Sequence, residues 1–135
     1  MKYFLNLCIF MAPIWAYSAQ PPSAMIENID ALATLKAPIK VCKSSKEYQS
    51  LEIQKKLKYI NLEIDIDSFA LKISNYYKDA ILFEFYLRNV NKYSDLYVSK
   101  GSLIQKYGSQ CSDGMIREIE KSFRDSSKEL NKYIK

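Results

Sequence analysis

Apolar residues recur at helical spacing soon after the first twenty residues of the chain. The first such positions lie three or four residues apart and are Ile26, Ile29, Leu32 or Ala33, and Leu35. This spacing predicts an amphipathic helix that begins near Ser23. We expect it to end near Ala37, because Pro38 disfavours the helical conformation in the residue before it.

The next segment contains a second helix start and one ambiguous stretch. Ser44 followed three residues later by Glu47 matches a capping box, which predicts a new helix from Ser44.

Residues 60–67 then alternate between apolar and polar side chains, which is the period of a half-buried strand. The apolar positions also continue a helical spacing downstream, and a lone strand has no second strand-like run to pair with. We therefore predict helix here, with Asp67 or Ser68 as the N-cap of a further helix.

The helix that begins at Asp67 or Ser68 is predicted to include residues 80–87, and two more helices follow it. Residues 80–87 are the most apolar stretch after the N-terminal segment and are predicted to be the central core helix. This helix should continue to Gly101, since glycine is common just after a helix C-terminus. A short helix over residues 102–107 and a last helix capped by Ser112 or Asp113 complete the chain. The pattern as a whole predicts an all-α protein, a small bundle of four to six helices.

The N-terminal segment has a different pattern. Lys2 precedes an apolar run, and small residues surround the end of that run, which matches a secretory signal peptide. Cleavage after Ser18 places Ala16 at the third position back, and cleavage after Ala19 is the alternative. A retained anchor is disfavoured because the run is shorter than the roughly 20 apolar residues of a membrane span. A lipoprotein signal at Cys8 and a core helix are the other interpretations.

Removal of this segment changes the cysteine count. Residues 1–19 contain Cys8, so Cys42 and Cys111 remain in a single helical domain of residues 20–135. An even pair in an exported chain most simply forms one disulfide, which would staple the bundle. Two buried free thiols are one alternative, and a two-cysteine metal site lacking the usual further ligands is the other. We expect a periplasmic or secreted protein with no transmembrane helix in the mature chain.

Composition excludes several kinds of chemistry. The 135 residues include 20 basic and 15 acidic side chains, no histidine and three glycines. Without histidine there is no Ser-His-Asp or Cys-His site, and three glycines are too few for a phosphate-binding loop. The acidic run Glu63, Asp65 and Asp67 fails as an EF-hand, because Ala70 and Tyr76 stand where glycine and glutamate are required. We therefore expect no metal, no cofactor and no catalytic residue.

Lysines provide the candidate binding surface. They cluster in one part of the sequence and are Lys36, Lys40, Lys43, Lys46, Lys55, Lys56 and Lys58. Such a group attracts an acidic protein surface, lipid headgroups or an envelope polymer, although a solvated helix face has the same composition. Nucleic acid is disfavoured as a partner, because the excess positive charge is modest and the chain is expected to be exported.

These features predict an exported, non-enzymatic binding protein, and the bias toward Lys, Ile, Asn and Tyr is typical of a bacterial chain. We favour a stoichiometric inhibitor or immunity-type partner of another envelope or delivered protein. The alternative is an envelope or membrane-surface protein that uses the lysine-rich helix face. The remaining hypothesis is a carboxylate-dependent glycan hydrolase with Glu84 as its acid, since burial raises the pKa of a carboxyl group.

Overall fold

The computed structural model describes residues 23–134 and contains six α-helices and no β-strand within that range. The helices are α1 (Ser23–Lys43), α2 (Lys46–Gln49), α3 (Ile53–Tyr76), α4 (Ala80–Lys100), α5 (Ser102–Tyr107) and α6 (Asp113–Leu130). The prediction of a small all-α bundle is confirmed, and so is helix over residues 60–67, which lie inside α3. The predicted signal peptide, residues 1–19, lies outside the described residues.

Helix α1 is the centre of the bundle. Its buried residues occur on nearly every side of the helix and are Met25, Ile29, Leu32, Ala33, Ala37, Pro38, Ile39, Val41 and Cys42. A helix that is apolar all round is stable only when other elements enclose it, and α1 contacts α2, α3, α4 and α6. The prediction that residues 80–87 form the central helix is therefore wrong. That stretch begins α4, where Leu82 and Tyr86 are buried but Ile81 is exposed.

Helix α1 also continues through its proline. A proline inside a helix removes one backbone hydrogen bond and costs about 3 kcal/mol. The turn after Pro38 buries Ile39, Val41 and Cys42 in the core. Because burial of one large aliphatic side chain contributes about 1.5–3 kcal/mol, this packing offsets the cost of the proline. The prediction that the helix ends near Ala37 is wrong for this reason.

The long helical pattern breaks at residues 77–79 and not near Asp67. Lys78 has a φ of 52°, in the left-handed region that interrupts a helix. Asp79 then caps α4, because its carboxylate accepts a hydrogen bond of 3.0 Å from the backbone N–H of Ile81. The apolar positions of α3 and α4 therefore belong to two helices that meet at this corner.

The other helix ends follow the local sequence. Gly101 ends α4 with a φ of 58°, as predicted, and Gly108 ends α5 with a φ of 71°; glycine enters this region without steric cost. Ser112 caps α6, also as predicted. The cap of α2 is Ser45 and not the predicted Ser44, because the helix begins at residue 46.

The disulfide joins the end of α1 to the loop before α6. The Sγ atoms of Cys42 and Cys111 lie 2.10 Å apart, and both residues are buried. Beside them the carboxylate of Glu47 in α2 accepts hydrogen bonds from the hydroxyl of Ser109 and the backbone N–H of Gln110. The same loop is thus held by one covalent bond and by hydrogen bonds, and the predicted staple is confirmed as part of the fold.

Candidate functional site

The three candidate lysines on α1 bind other parts of the bundle. Lys36 Nζ lies 2.7 Å from Asp67 Oδ1, and Lys43 Nζ lies 2.8 Å from Glu63 Oε1. Both carboxylates belong to α3, so these ion pairs hold α1 against α3. Lys40 donates a hydrogen bond to a side-chain amide of α4. All three lysines therefore have partners within the fold, and the charges of Lys36 and Lys43 are neutralised there.

The four candidate lysines on α2 and α3 are less constrained. Lys55 forms an ion pair of 3.2 Å with Asp113 of α6, and Lys56 donates a hydrogen bond of 2.9 Å to a main-chain carbonyl of α2. Within residues 23–134, Lys46 and Lys58 form no ion pair. Three of the four lysines lie at the N-terminal end of α3.

Helix α3 has apolar residues on two opposite sides. The side that faces the core contains Tyr59, Leu62, Ile66, Phe69, Ala70 and Ile73. The side that faces away from it contains Ile53, Leu57, Ile60, Ile64 and Leu71, which we call the α3 seam. At about 100° per residue, the seam residues fall within roughly 60° of one another and on the opposite side of the helix from the core residues.

The α3 seam is a line of exposed aliphatic side chains. Ile53 is 68% exposed, Leu57 47%, Ile64 53% and Leu71 44%, and Ile60 is partly buried. The first four positions are separated by steps of four, three and four residues, which is the spacing of the contact positions in a coiled coil. Single exposed apolar residues are common, but a contiguous set marks an interaction site.

The seam is not among the sequence-based predictions, although one signal pointed to it. Ile60 and Ile64 face outward, whereas Leu62 and Ile66 face the core. This arrangement produces the alternation of apolar and polar residues that resembles a strand. An alternating run within a helix therefore indicates a helix with two apolar sides, one of which has no partner inside the domain.

A cleft of about 320 Å³ opens at the N-terminal end of α3, between α3 and α6. Its walls include the charged side chains of Glu52, Lys55, Lys58, Asp113 and Arg117. Lys55 and Asp113 neutralise each other in their ion pair. Lys58 and Arg117 therefore outweigh Glu52, and the cleft carries a positive charge.

Tyr59 lies at the wall of this cleft and connects the two helices. Its side chain is buried, and its hydroxyl donates a hydrogen bond of 3.1 Å to the main-chain carbonyl of Ser112. Burial, together with the smaller effect of the negative charges of Asp113 and Glu47, raises the pKa of Tyr59 to about 12. At neutral pH the hydroxyl is therefore a neutral donor with a structural role.

The remaining candidate groups do not assemble into a reactive site. Glu84 is exposed on α4, so it lacks the burial on which the hydrolase hypothesis depends. Glu63 and Asp67 pair with lysines of α1, and Asp65 is exposed. Over residues 23–134 no three carboxylate or cysteine side chains come together as a metal-binding group.

Two further findings bear on the role of the seam and the cleft. None of the helices in the described part of the chain is long and apolar enough to cross a membrane. The chain has no match among protein-family models, curated proteins or solved structures. The proposal for function therefore depends on the geometry and charge of these two features.

Proposed function

We propose that this protein is an exported, non-enzymatic binding protein that acts as a stoichiometric partner of another protein, as an inhibitor or immunity-type protein does. The observation that carries the proposal is the α3 seam. Its four most exposed side chains lie along one side of one helix, at 44–68% exposure. Because removing apolar surface from water is favourable, a partner that covers this line gains binding free energy from it.

Export is supported by two features of the chain. The N-terminal segment has the order of a signal peptide, with Lys2 before an apolar run. The Cys42–Cys111 disulfide is of the kind that persists in an oxidising compartment. A periplasmic or secreted location agrees with both features, and it would place the partner in the cell envelope or among proteins delivered to it.

The shape of the seam favours a protein partner over a membrane surface. A helix that lies on a membrane presents a broad apolar face, with lysine and arginine on its polar face. The seam is narrow, since its residues fall within roughly 60° of the helix circumference. Beside it, Glu63 and Asp67 pair with Lys43 and Lys36, so these lysines are not free to bind anionic lipid. Lys40, the third lysine of α1, donates a hydrogen bond to a side-chain amide of α4.

The proposal is tested with a double substitution in the seam. Leu57→Lys with Ile64→Lys places two charges on the outer side of α3, at side chains that are 47% and 53% exposed. The control, Val98→Lys with Ile104→Lys, changes side chains that are 62% and 51% exposed but lie on α4 and α5. Tagged mature proteins are incubated with native envelope extract, and the captured proteins are quantified by mass spectrometry.

We expect the native and control proteins to retain the same envelope protein in a one-to-one complex that survives high salt. The seam variant should retain at least about tenfold less, since each buried leucine-sized side chain contributes about 1.5–3 kcal/mol. Equal capture by the seam variant would contradict the proposal. Binding that weakens steeply with salt and follows the anionic lipid content would instead support the membrane-surface alternative.

A further inference from the structure

We infer that Glu47 is a positioning residue for the Cys42–Cys111 disulfide. When the bond is open, the carboxylate of Glu47 keeps the loop of Cys111 beside the end of α1, so that the bond closes again by exchange with a small-molecule disulfide. The position of α2 and the hydrogen bonds on both sides of Cys111 carry this inference, which is independent of the binding partner.

Helix α2 is held next to Cys42. Ser45 is the N-cap of α2, and both its backbone N–H and its hydroxyl donate to the main-chain carbonyl of Cys42, at 2.9 and 2.6 Å. None of the four residues of α2 is buried, so the core contributes little to the placement of this short helix. The direction in which α2 presents its side chains is therefore fixed relative to Cys42.

Glu47 of α2 reaches the loop of Cys111. One carboxylate oxygen, Oε2, accepts a hydrogen bond from the hydroxyl of Ser109 and another, of 3.0 Å, from the backbone N–H of Gln110. The hydroxyl oxygen of Ser109 accepts in turn from the backbone N–H of Cys111, at 3.0 Å. These bonds connect α2 to the backbone of Cys111 without involving either sulfur atom. Because the acceptor is ionised, the bonds to Glu47 are of the stronger kind.

A second contact holds the other side of Cys111. Tyr59 of α3 donates its hydroxyl to the main-chain carbonyl of Ser112, at 3.1 Å. The ring of Tyr59 also packs edge-on against the ring of Tyr48 in α2, with 6.3 Å between the ring centres. The residues before and after Cys111 are thus both held by groups other than the disulfide, and these groups remain in place when the bond is reduced.

This positioning favours the closed form of the bond. A loop that is free in the reduced protein loses conformational entropy when the disulfide forms, whereas a loop that is already held loses less. Removal of Glu47 should therefore shift the equilibrium between dithiol and disulfide toward the dithiol.

The closing reaction is thiol–disulfide exchange, with oxidised glutathione as the reagent. Cys111 reacts first, because it is 7% exposed and Cys42 is 0% exposed. Its thiolate attacks one sulfur of the reagent, forms a mixed disulfide and releases one glutathione thiolate. The thiolate of Cys42 then attacks Cys111 Sγ and releases the second. The two protons of the cysteine thiols pass to the two glutathione thiolates, so two electrons move from the protein to the reagent.

The experiment measures this equilibrium in mixtures of reduced and oxidised glutathione. Samples of the mature protein are quenched in acid, free thiols are alkylated, and the dithiol and disulfide forms are quantified by mass spectrometry. Glu47→Ala removes the acceptor, whereas Glu47→Gln keeps one side-chain oxygen, which is all that the two donors of the loop use. The control is Glu129→Ala, which removes an exposed carboxylate that pairs with Lys132.

We expect the equilibrium constant for closure to be at least about fivefold lower in Glu47→Ala than in the native protein, a difference of about 1 kcal/mol. Glu47→Gln should retain most of the native value, and Glu129→Ala all of it. In the reduced native protein, a nuclear Overhauser contact between the amide proton of Gln110 and the side chain of Glu47 should persist. Circular dichroism of each reduced variant shows whether it has the native fold.

Four results would overturn the inference. The first two are an unchanged equilibrium constant in Glu47→Ala and equal losses in Glu47→Ala and Glu129→Ala. The third is a loss in Glu47→Gln as large as that in Glu47→Ala, since the accepting oxygen is still present there. The fourth is disappearance of the Overhauser contact on reduction, which would mean that the disulfide positions the loop and Glu47 does not. This last measurement uses the native chain, so it decides the question even where a variant fails to fold.

Discussion

The carboxylate of Asp67 lies where three helices meet. Tyr86 of α4 is fully buried and donates its hydroxyl to Asp67 Oδ1 of α3 at 2.7 Å. The same carboxylate pairs with Lys36 of α1 at 2.7 Å. Burial raises the pKa of Tyr86, and its hydrogen bond to Asp67 raises it further. Because these polar groups satisfy one another, they can be removed from water without leaving an unpaired donor or charge.

Substitutions at this carboxylate test its shared role. Tyr86→Phe removes one hydrogen bond and leaves the ion pair, so we expect it to lower the free energy of unfolding by about 1 kcal/mol. Asp67→Ala leaves the hydroxyl of Tyr86 and the ammonium of Lys36 without their acceptor. We expect it to lower the free energy of unfolding by about 2–3 kcal/mol. Urea unfolding at neutral pH measures both. Equal costs for the two variants would contradict a carboxylate shared by two partners.

Tyr59 predicts a loss of stability at alkaline pH. Its pKa is about 12 in the folded protein and near the ordinary value of 10.0 in the unfolded chain. Below about pH 10 it is protonated in both states and has no effect on the pH dependence of stability. Between about pH 10 and 12 only the unfolded chain loses the proton, so stability falls as pH rises.

The comparison with Tyr59→Phe isolates this effect from the titration of other groups. The native protein should be the more stable of the two at neutral pH, because of the hydrogen bond to Ser112. Its advantage should shrink across the alkaline window by an amount on the order of 2–3 kcal/mol, since each pKa unit corresponds to about 1.4 kcal/mol. Urea unfolding at several alkaline pH values measures the difference, and a constant difference would contradict the raised pKa.

At the scale of elements, the predictable features are those that depend on neighbours within one turn. Gly101 and Ser112 were predicted correctly as the end of α4 and the cap of α6, because a cap is made by local backbone groups. The alternation over residues 60–67 fits two structures, because a helix with two apolar sides and a strand with one apolar side produce the same short pattern. The absence of a pairing strand decided the question correctly.

The features that the sequence did not predict concern contacts between elements. Lys36 and Lys43 belong to the candidate binding surface, and their acceptors Asp67 and Glu63 lie on another helix and cannot be identified from the spacing of the lysines. The helix through Pro38 depends in the same way on core packing after the proline. Local sequence thus predicted most of the helices, whereas the arrangement of the candidate site required the tertiary structure.

Two glycines form a matched test of the predicted caps. Gly101 has a φ of 58°, and a Cβ at this position meets no atom within 4 Å. Gly101→Ala should therefore cost only backbone strain, about 1 kcal/mol. Gly114 lies in the first turn of α6 without a positive φ, and its new Cβ would lie 3.4 Å from Ser112 Oγ. Gly114→Ala should be neutral or stabilising, by up to about 1 kcal/mol. Thermal unfolding distinguishes the two variants. Similar losses of stability in both would contradict a left-handed conformation at Gly101.

At the scale of the whole molecule, the core and the disulfide act on the same helix. Helix α1 is enclosed by four other helices, and its last turn includes Cys42. The bond to Cys111 connects that turn to the loop before α6. The α3 seam lies outside this arrangement, so a partner can occupy it while the core and the staple remain intact. Binding and stability are therefore expected to respond to different substitutions.

Removal of the disulfide measures how much the staple contributes. The two cysteines are 69 residues apart in sequence, and the chain-entropy model assigns about 4 kcal/mol to a loop of that length. This is a large part of the roughly 5–15 kcal/mol that stabilises a typical domain. We expect Cys42→Ser/Cys111→Ser to lose about that amount in urea unfolding, and reduction of the native protein to cause the same loss. A much smaller loss would mean that packing around α1 is enough to keep the domain stable.

The disulfide is also tested by mass spectrometry. The mature, non-reduced protein should be lighter than the reduced form by about two mass units. Two thiols that alkylate without reductant would contradict the bond and weaken the case for export.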